Sequence, residues 1–147
     1  MTVSNEMNLS FESRSCNEAF ARSAVSALIA QLDPTIGELN EIRTAVSEAV
    51  TNCVVHAYRS TIGIIRINVK LTSDNAAIIR IHDNGVGIEN ISQAMEPLFT
   101  TASAEERTGL GFAVMQSFTD AVHVRSKPQK GTTVTLKKTL SRRFSHA

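Results

Sequence analysis

Four short signatures, in one order, constrain this chain more than its composition does. Ser47-Glu-Ala-Val-Thr-Asn-Cys-Val-Val-His56 comes first and sets Glu48, Asn52 and His56 at spacings of four. Asp83-Asn-Gly-Val-Gly87 follows, then Gly109-Leu-Gly111, and finally Gly131-Thr-Thr133. Gly85 and Gly87 directly follow an apolar run ending at Asp83, and Gly109 and Gly111 stand before a second apolar stretch. Glycine at such junctions permits tight turning and close approach of backbone to a ligand. Neither stretch completes GxGxxG, because Asn90 and Val114 occupy the last position, and no GxxxxGK[ST] occurs anywhere. Rossmann and P-loop architectures are therefore disfavoured, and the glycines must belong to another fold.

Hydrophobic periodicity supplies the elements around these signatures. Met7, Leu9 and Phe11 alternate with Asn8, Ser10 and Glu12, which reads as a half-buried strand over 7–13. Ser15 is positioned to cap a helix over 16–32 whose apolar residues are Phe20, Val25, Leu28, Ile29 and Leu32. Asp33 and Pro34 suit the N-cap and first position of a second helix over 34–57. Thr35 and Glu38 offer a capping box slightly out of phase with that start. Ile36, Leu39, Ile42, Val46, Ala49, Val50 and Cys53 form its apolar stripe. Glu48 points away from the stripe, and Asn52 and His56 follow on its flank, each about 40° further round at 3.6 residues per turn.

Residues 62–72 and 76–83 are β-branched and mostly alternating, and Ser73-Asp74-Asn75 between them marks a hairpin turn. Residues 84–108 lack clear periodicity apart from a possible helical turn at Ile91–Met95, and a stretch of that length reads as a functional loop or lid over about 89–108. A helix over 110–120 and strands at 122–125 and 132–138 complete the order β-α-α-β-β-lid-α-β-β. That order predicts one α+β two-layer sandwich over 1–147, with a mixed, mainly antiparallel sheet and the three helices on one face. A basic tail occupies 139–147.

Charge and composition narrow the partners. The formal net charge is +1, and Lys137-Lys138 and Arg142-Arg143 are the only basic clusters, so neither nucleic acid nor a membrane is expected to bind directly. No apolar run approaches the roughly 20 residues of a membrane span, and no signal sequence opens the chain. A cytoplasmic location is expected. Cys16 and Cys53 form no CxxC pair and give no ground for a disulfide or zinc site; Cys53 reads as a small core residue.

Each polar residue near the glycines admits a functional and a plain reading. Asp83 can accept a hydrogen bond from an exocyclic amine such as that of adenine, or it can form an Asx turn into Asn84-Gly85. Glu48 and Asn52 can be a general base and a hard oxygen ligand for magnesium, or two members of a solvated helix face. His56 can reach a phosphate or cap its helix. The helix start after Gly109 and Gly111 can cradle phosphates with free N–H groups. Glu18 and Arg22, spaced i,i+4, can pair on a wet face or dock a partner.

Taken together, these residues resemble the GHKL group of ATP-binding domains, which includes gyrase B-type, Hsp90-type, histidine-kinase and MutL-like proteins. Glu48 to His56 looks like the group's N box, and the three glycine stretches look like its later motifs. The resemblance implies the Bergerat sandwich with a mobile ATP lid. Ser47-Glu-Ala-Val-Thr-Asn52 and Pro97-Leu-Phe-Thr-Thr101 make the chain similar to the bacterial anti-sigma serine kinases of the sporulation type, from about Asn5 to Lys138.

That family implies a protein serine/threonine kinase that binds a sigma factor and phosphorylates a serine of a STAS-type anti-anti-sigma protein with Mg-ATP. It implies ATP or ADP and Mg²⁺ as cofactors, and a homodimer, for which strand 7–13 and helix 16–32 offer an edge and a face. By motif, Asn52 would hold Mg²⁺, Asp83 would read adenine, and Gly85 and Gly87 would admit the base. Gly109, Leu110, Gly111 and Phe112 would cradle phosphates, Thr132 would support the adenine side, and Glu48 would take or orient the serine proton. His56, Ile88, Thr101 and Thr108 would complete the nucleotide site, and Glu18 and Arg22 would form the sigma-docking surface.

One position departs from the family. A lysine is expected soon after the paired lid threonines, and Ala102 stands there. Arg107 is then the remaining cation for the γ-phosphate, unless it pairs with Glu105 or Glu106. A stress-response-type kinase, or a sigma-binding module that uses nucleotide only as a switch, shares the same motifs. A histidine kinase fits less well, because no upstream helical hairpin carries a phospho-accepting histidine.

Overall fold

The structure is a computed structural model that describes residues 2–95 and 111–141. Its elements run β1 (Val3–Glu12), α1 (Cys16–Ile29), α2 (Ile36–Asn52), β2 (Ile64–Thr72), β3 (Ala76–Asp83), α3 (Ile91–Ala94), α4 (Phe112–Phe118), β4 (Ala121–Lys127) and β5 (Gly131–Thr139). A 3-10 turn, Ala30–Leu32, extends α1, and a π-helical turn, Cys53–Ala57, extends α2. The strands form one five-stranded sheet in the order β1-β2-β3-β5-β4. Every pairing is antiparallel, so no parallel pair occurs among the described strands and the expected mixed sheet is corrected to a wholly antiparallel one.

The period-2 alternation of the strands decides which face is covered. Ile65, Ile67, Val69 and Leu71 of β2 are buried, as are Ala77, Ile79 and Ile81 of β3 and Val134 and Leu136 of β5. They pack under Val25 and Ile29 of α1, Ile42, Val46 and Val50 of α2, and Phe112 and Met115 of α4. Each large aliphatic side chain buried this way contributes about 1.5–3 kcal/mol before chain entropy is counted. The opposite face carries Arg66, Arg80 and His82 around an open concavity of about 530 Å³. The two-layer sandwich with its helices on one side is therefore as the patterning predicts.

Local chemistry moves several boundaries. Helix α2 starts at Ile36 because Thr35 accepts from the Glu38 N–H at 3.0 Å while Glu38 accepts from the Thr35 N–H at 2.9 Å. The reciprocal capping box prevails over Asp33-Pro34, and Asp33 instead sits left-handed (φ 53°) closing the preceding turn. Ser15 stands at the start of α1 but makes no side-chain cap bond. Phe20 is 51% exposed and Ile36 78% exposed, so neither belongs to the core that periodicity predicts. No helix among the described residues is long and apolar enough to cross a membrane.

Candidate functional site

Strand register builds the site. Asp83, the last residue of β3, pairs with Thr132 at the start of β5. Both are buried, at 3% and 7% exposure. The Asp83 carboxylate accepts the Gly85 N–H at 2.9 Å, which is the Asx-type turn, and the Cys53 thiol approaches its other oxygen at 3.5 Å. Burial pushes the Asp83 carboxyl above its ordinary range, against the opposing pull of the Gly85 N–H, the Cys53 thiol and His82. Burial likewise pushes the Cys53 thiol well up, with the Asp83 charge adding to it, so Cys53 remains the donor of that pair.

The glycine loop after Asp83 is pinned from several sides. The Asn84 N–H donates to the Tyr58 hydroxyl at 2.7 Å, and that hydroxyl donates to the Ile64 carbonyl at 2.7 Å. Val86 donates to the Ala57 carbonyl at 3.0 Å and accepts from Gln129 at 2.6 Å. Gly87 has φ 76°, and a Cβ there would overlap the Lys127 carbonyl oxygen, so glycine is required on two grounds.

The end of α2 faces this loop. Its last turn winds as a π-helix, with Tyr58 N–H reaching the Cys53 carbonyl at 3.0 Å. The wider winding opposes the 40° drift expected of a plain α-helix. Asn52 and His56 consequently line one cavity together with Asp83, Gly87, Ile88, Phe112 and Thr132. The cavity measures about 190 Å³ and is walled by Ala49, Ala57, Val86 and Val134. It is smaller than the concavity on the bare sheet face but gathers the polar groups, and Asp83 and Thr132 among them are buried.

Helix α4 brings a second part of the site to α2. Gly111 is its N-cap at φ 64°, and a Cβ there would overlap the Glu48 carboxylate. The left-handed glycine thus lets a helix start pack directly on Glu48. Glu48 itself is outside the lining of the Asp83 cavity.

The chain from 11 to 138 matches the family described as the histidine kinase-like ATPase domain. An anti-sigma F factor from Caldanaerobacter subterraneus is 54% identical over 142 residues, covering 97% of this chain and 99% of its own length. Another from Geobacillus thermodenitrificans is 52% identical over 139 residues, covering 94% of each chain. This chain belongs to the anti-sigma F factor family of histidine kinase-like ATPase domains. The fold agrees. A solved structure of the RsbU and RsbW domains of a Mycobacterium tuberculosis protein superposes with a TM-score of 0.70 at 19% identity, over 95% of this chain and 34% of that one. The catalytic domain of the histidine kinase ThkA gives a TM-score of 0.54 at 12% identity, over 91% of this chain and 96% of that one.

An ATPase fold implies a nucleotide ligand, and the donor set fits one. Apolar walls stand beside two buried polar side chains, Asp83 and Thr132, in a cavity of the kind small ligands occupy. Of the expected residues, Thr101, Arg107, Thr108, Gly109 and Leu110, with Ala102, lie outside the described residues. Glu18 and Arg22 lie on α1, where they approach each other at 3.7 Å and Glu18 also accepts the Ser47 hydroxyl. Their i,i+4 pairing is the plain reading of that spacing.

Some members of the site carried no signal in the sequence. Cys53 is a cavity wall as well as a core residue. Arg59, held at φ 51°, lines the same cavity, and its distance in sequence from every glycine motif hid it. Tyr58 and Ser126 act on the loop backbone through hydroxyls that no motif marks.

Proposed function

We propose that this chain is an anti-sigma factor and a protein serine kinase that uses ATP with Mg²⁺. The observation that supports this best is the convergence of Asp83, Thr132 and Asn52 on one apolar-walled cavity, beside a glycine-started helix packed on Glu48. Asp83 would accept from the adenine amine, Thr132 would support the same edge, and Gly87, Ile88 and Phe112 would flank the ring. Gly85 would hold Asp83 in place through its N–H. His56 would face the phosphates, and Gly111 with Thr101, Thr108, Gly109 and Leu110 would hold them.

Asn52 would contribute a hard amide oxygen to Mg²⁺, which keeps most of its remaining ligands as water and phosphate. No group of three or more His, Cys, Asp or Glu able to hold a metal occurs among the described residues, so the phosphates themselves would complete the coordination. Mg-ATP supplies the phosphoryl group and neutralises its charge. The chain's own part is positioning, with Glu48 taking or orienting the proton of the acceptor serine and Arg107 offering a cation.

Family membership supports the partners. The acceptor would be a serine of a STAS-type anti-anti-sigma protein, and the sequestered protein a sporulation-type sigma factor met at Glu18 and Arg22. A homodimer in the cytoplasm is the assembly proposed. The test is phosphotransfer: the chain, Mg-ATP and a STAS-type protein are mixed, and intact mass is read, with Glu48→Ala alongside. Addition of one phosphoryl group that disappears in Glu48→Ala supports the kinase. Tight nucleotide binding with no transfer to any STAS-type protein supports a nucleotide-switched sigma-binding module instead.

A further inference from the structure

Ser126 of β4 lies just outside the cavity lining, yet its hydroxyl meets three partners. The Ile88 N–H stands 2.8 Å away, the Gly131 carbonyl 2.9 Å and the Thr132 Oγ1 2.8 Å. A serine hydroxyl has one hydrogen and two lone pairs, so the three contacts can be assigned by elimination. The Gly131 oxygen carries no hydrogen and must receive the one Ser126 owns. The Ile88 N–H occupies one lone pair. Thr132 must then donate its own hydrogen into the other.

This leaves the Thr132 oxygen with lone pairs only, at 7% exposure on the wall of the cavity. Its register partner Asp83 is an acceptor too, already taking the Gly85 N–H and the Cys53 thiol. Two acceptors therefore share the floor where the edge of a base would rest. An exocyclic amine has hydrogens for both, whereas a carbonyl at the same place would set its lone pairs against theirs. A threonine hydroxyl free to rotate would lose this discrimination, because it could donate to a carbonyl as readily as accept from an amine.

We infer that Ser126 is a specificity-determining positioning residue, which locks the Thr132 hydroxyl as an acceptor so that the site takes a 6-aminopurine and rejects a 6-oxopurine. The inference rests on the nucleotide reading of the cavity given above. It assigns to a residue that need not touch the ligand the choice between two bases of nearly equal shape.

Calorimetric titration with Mg-ADP and Mg-IDP tests it, since the two differ in carrying an amine or a carbonyl at that position. The unaltered chain should prefer ADP. Ser126→Ala should lower the ADP/IDP affinity ratio about tenfold, the equivalent of one mispaired buried group. Thr132→Val should lower the ratio too, and adding Ser126→Ala to it should leave the ratio unchanged. Ser126→Thr, which restores the hydroxyl, should recover the preference. Equal loss of ADP and IDP affinity in Ser126→Ala would show that Ser126 merely supports the loop, and the inference would fall. An unaltered ratio in Thr132→Val would overturn the inference even if Ser126→Ala does not fold, because Thr132 then does not read the base. Absence of any ADP binding by the unaltered chain overturns the nucleotide reading and this inference with it.

Discussion

Replacing Gly87 with alanine tests whether the loop after β3 is held where the structure places it. The residue has φ 76°, and its added Cβ would overlap the carbonyl oxygen of Lys127. The left-handed conformation costs an alanine about 1–2 kcal/mol. The overlap is with backbone, which cannot rotate away as a side-chain tip can, and forced overpacking costs about 1–3 kcal/mol more. Relief by loop movement is opposed on both sides, by the Gln129 N–H on the Val86 carbonyl at 2.6 Å and by the Ile88 N–H on Ser126 at 2.8 Å. The expected loss is about 3 kcal/mol, which for a chain of this size lowers Tm by roughly 6–12 °C. Gly37→Ala is the control. Gly37 lies in the first turn of α2, and the nearest atom to its added Cβ is the Thr35 hydroxyl at 3.9 Å, an ordinary contact. That substitution should stabilise by about 0.5 kcal/mol. Thermal melts by circular dichroism and urea midpoints measure both. A Gly87→Ala chain melting within about 2 °C of the unaltered one would refute the argument.

Two further outcomes follow from the same physical reasoning. Burial raises the Asp83 carboxyl, so across the acid range the folded chain binds more protons there than the unfolded chain, and ionisation subtracts stability as pH rises through the unfolded value towards the raised folded one. Asp83→Asn removes this term, so its Tm relative to the unaltered chain should grow more positive from about pH 4 to about pH 7; a difference that shrinks over that range would contradict it. Thr35→Ala removes the hydroxyl that accepts from Glu38 and should cost about 1 kcal/mol in urea unfolding. Thr35→Ser should restore nearly all of it, and equal behaviour of the two variants would argue against the capping box.

The sequence showed the layers well because burial and periodicity are the same fact seen twice. Alternation in β2 and β3 marks Ile65, Ile67, Ile79 and Ile81 as the covered face, and the structure buries them. The placing of β5 against β3, rather than β4, lies beyond local periodicity, although it is what sets Asp83 beside Thr132. The start of α2 was ambiguous because Asp33-Pro34 and Thr35-Glu38 both satisfy capping rules, and only the formed reciprocal bonds decide between them. The π-turn at Cys53–Ala57 has no period of its own to read, so α-helical spacing turns Asn52 and His56 apart where the structure sets both on one cavity. Cys53 and Ser126 have no motif to mark them for a similar reason: their contacts are made across the fold, Cys53 with Asp83, and Ser126 with Ile88, Gly131 and Thr132.

The most direct test of the nucleotide site is titration of Mg-ADP into three chains, unaltered, Asp83→Asn and Glu48→Ala, followed by calorimetry. The cavity account expects binding by the unaltered chain, loss of at least about tenfold in affinity in Asp83→Asn through the mispaired amine, and near-unaltered ADP affinity in Glu48→Ala, whose carboxylate lies outside the cavity lining. Unchanged ADP affinity in Asp83→Asn would contradict the assignment of this cavity to the base.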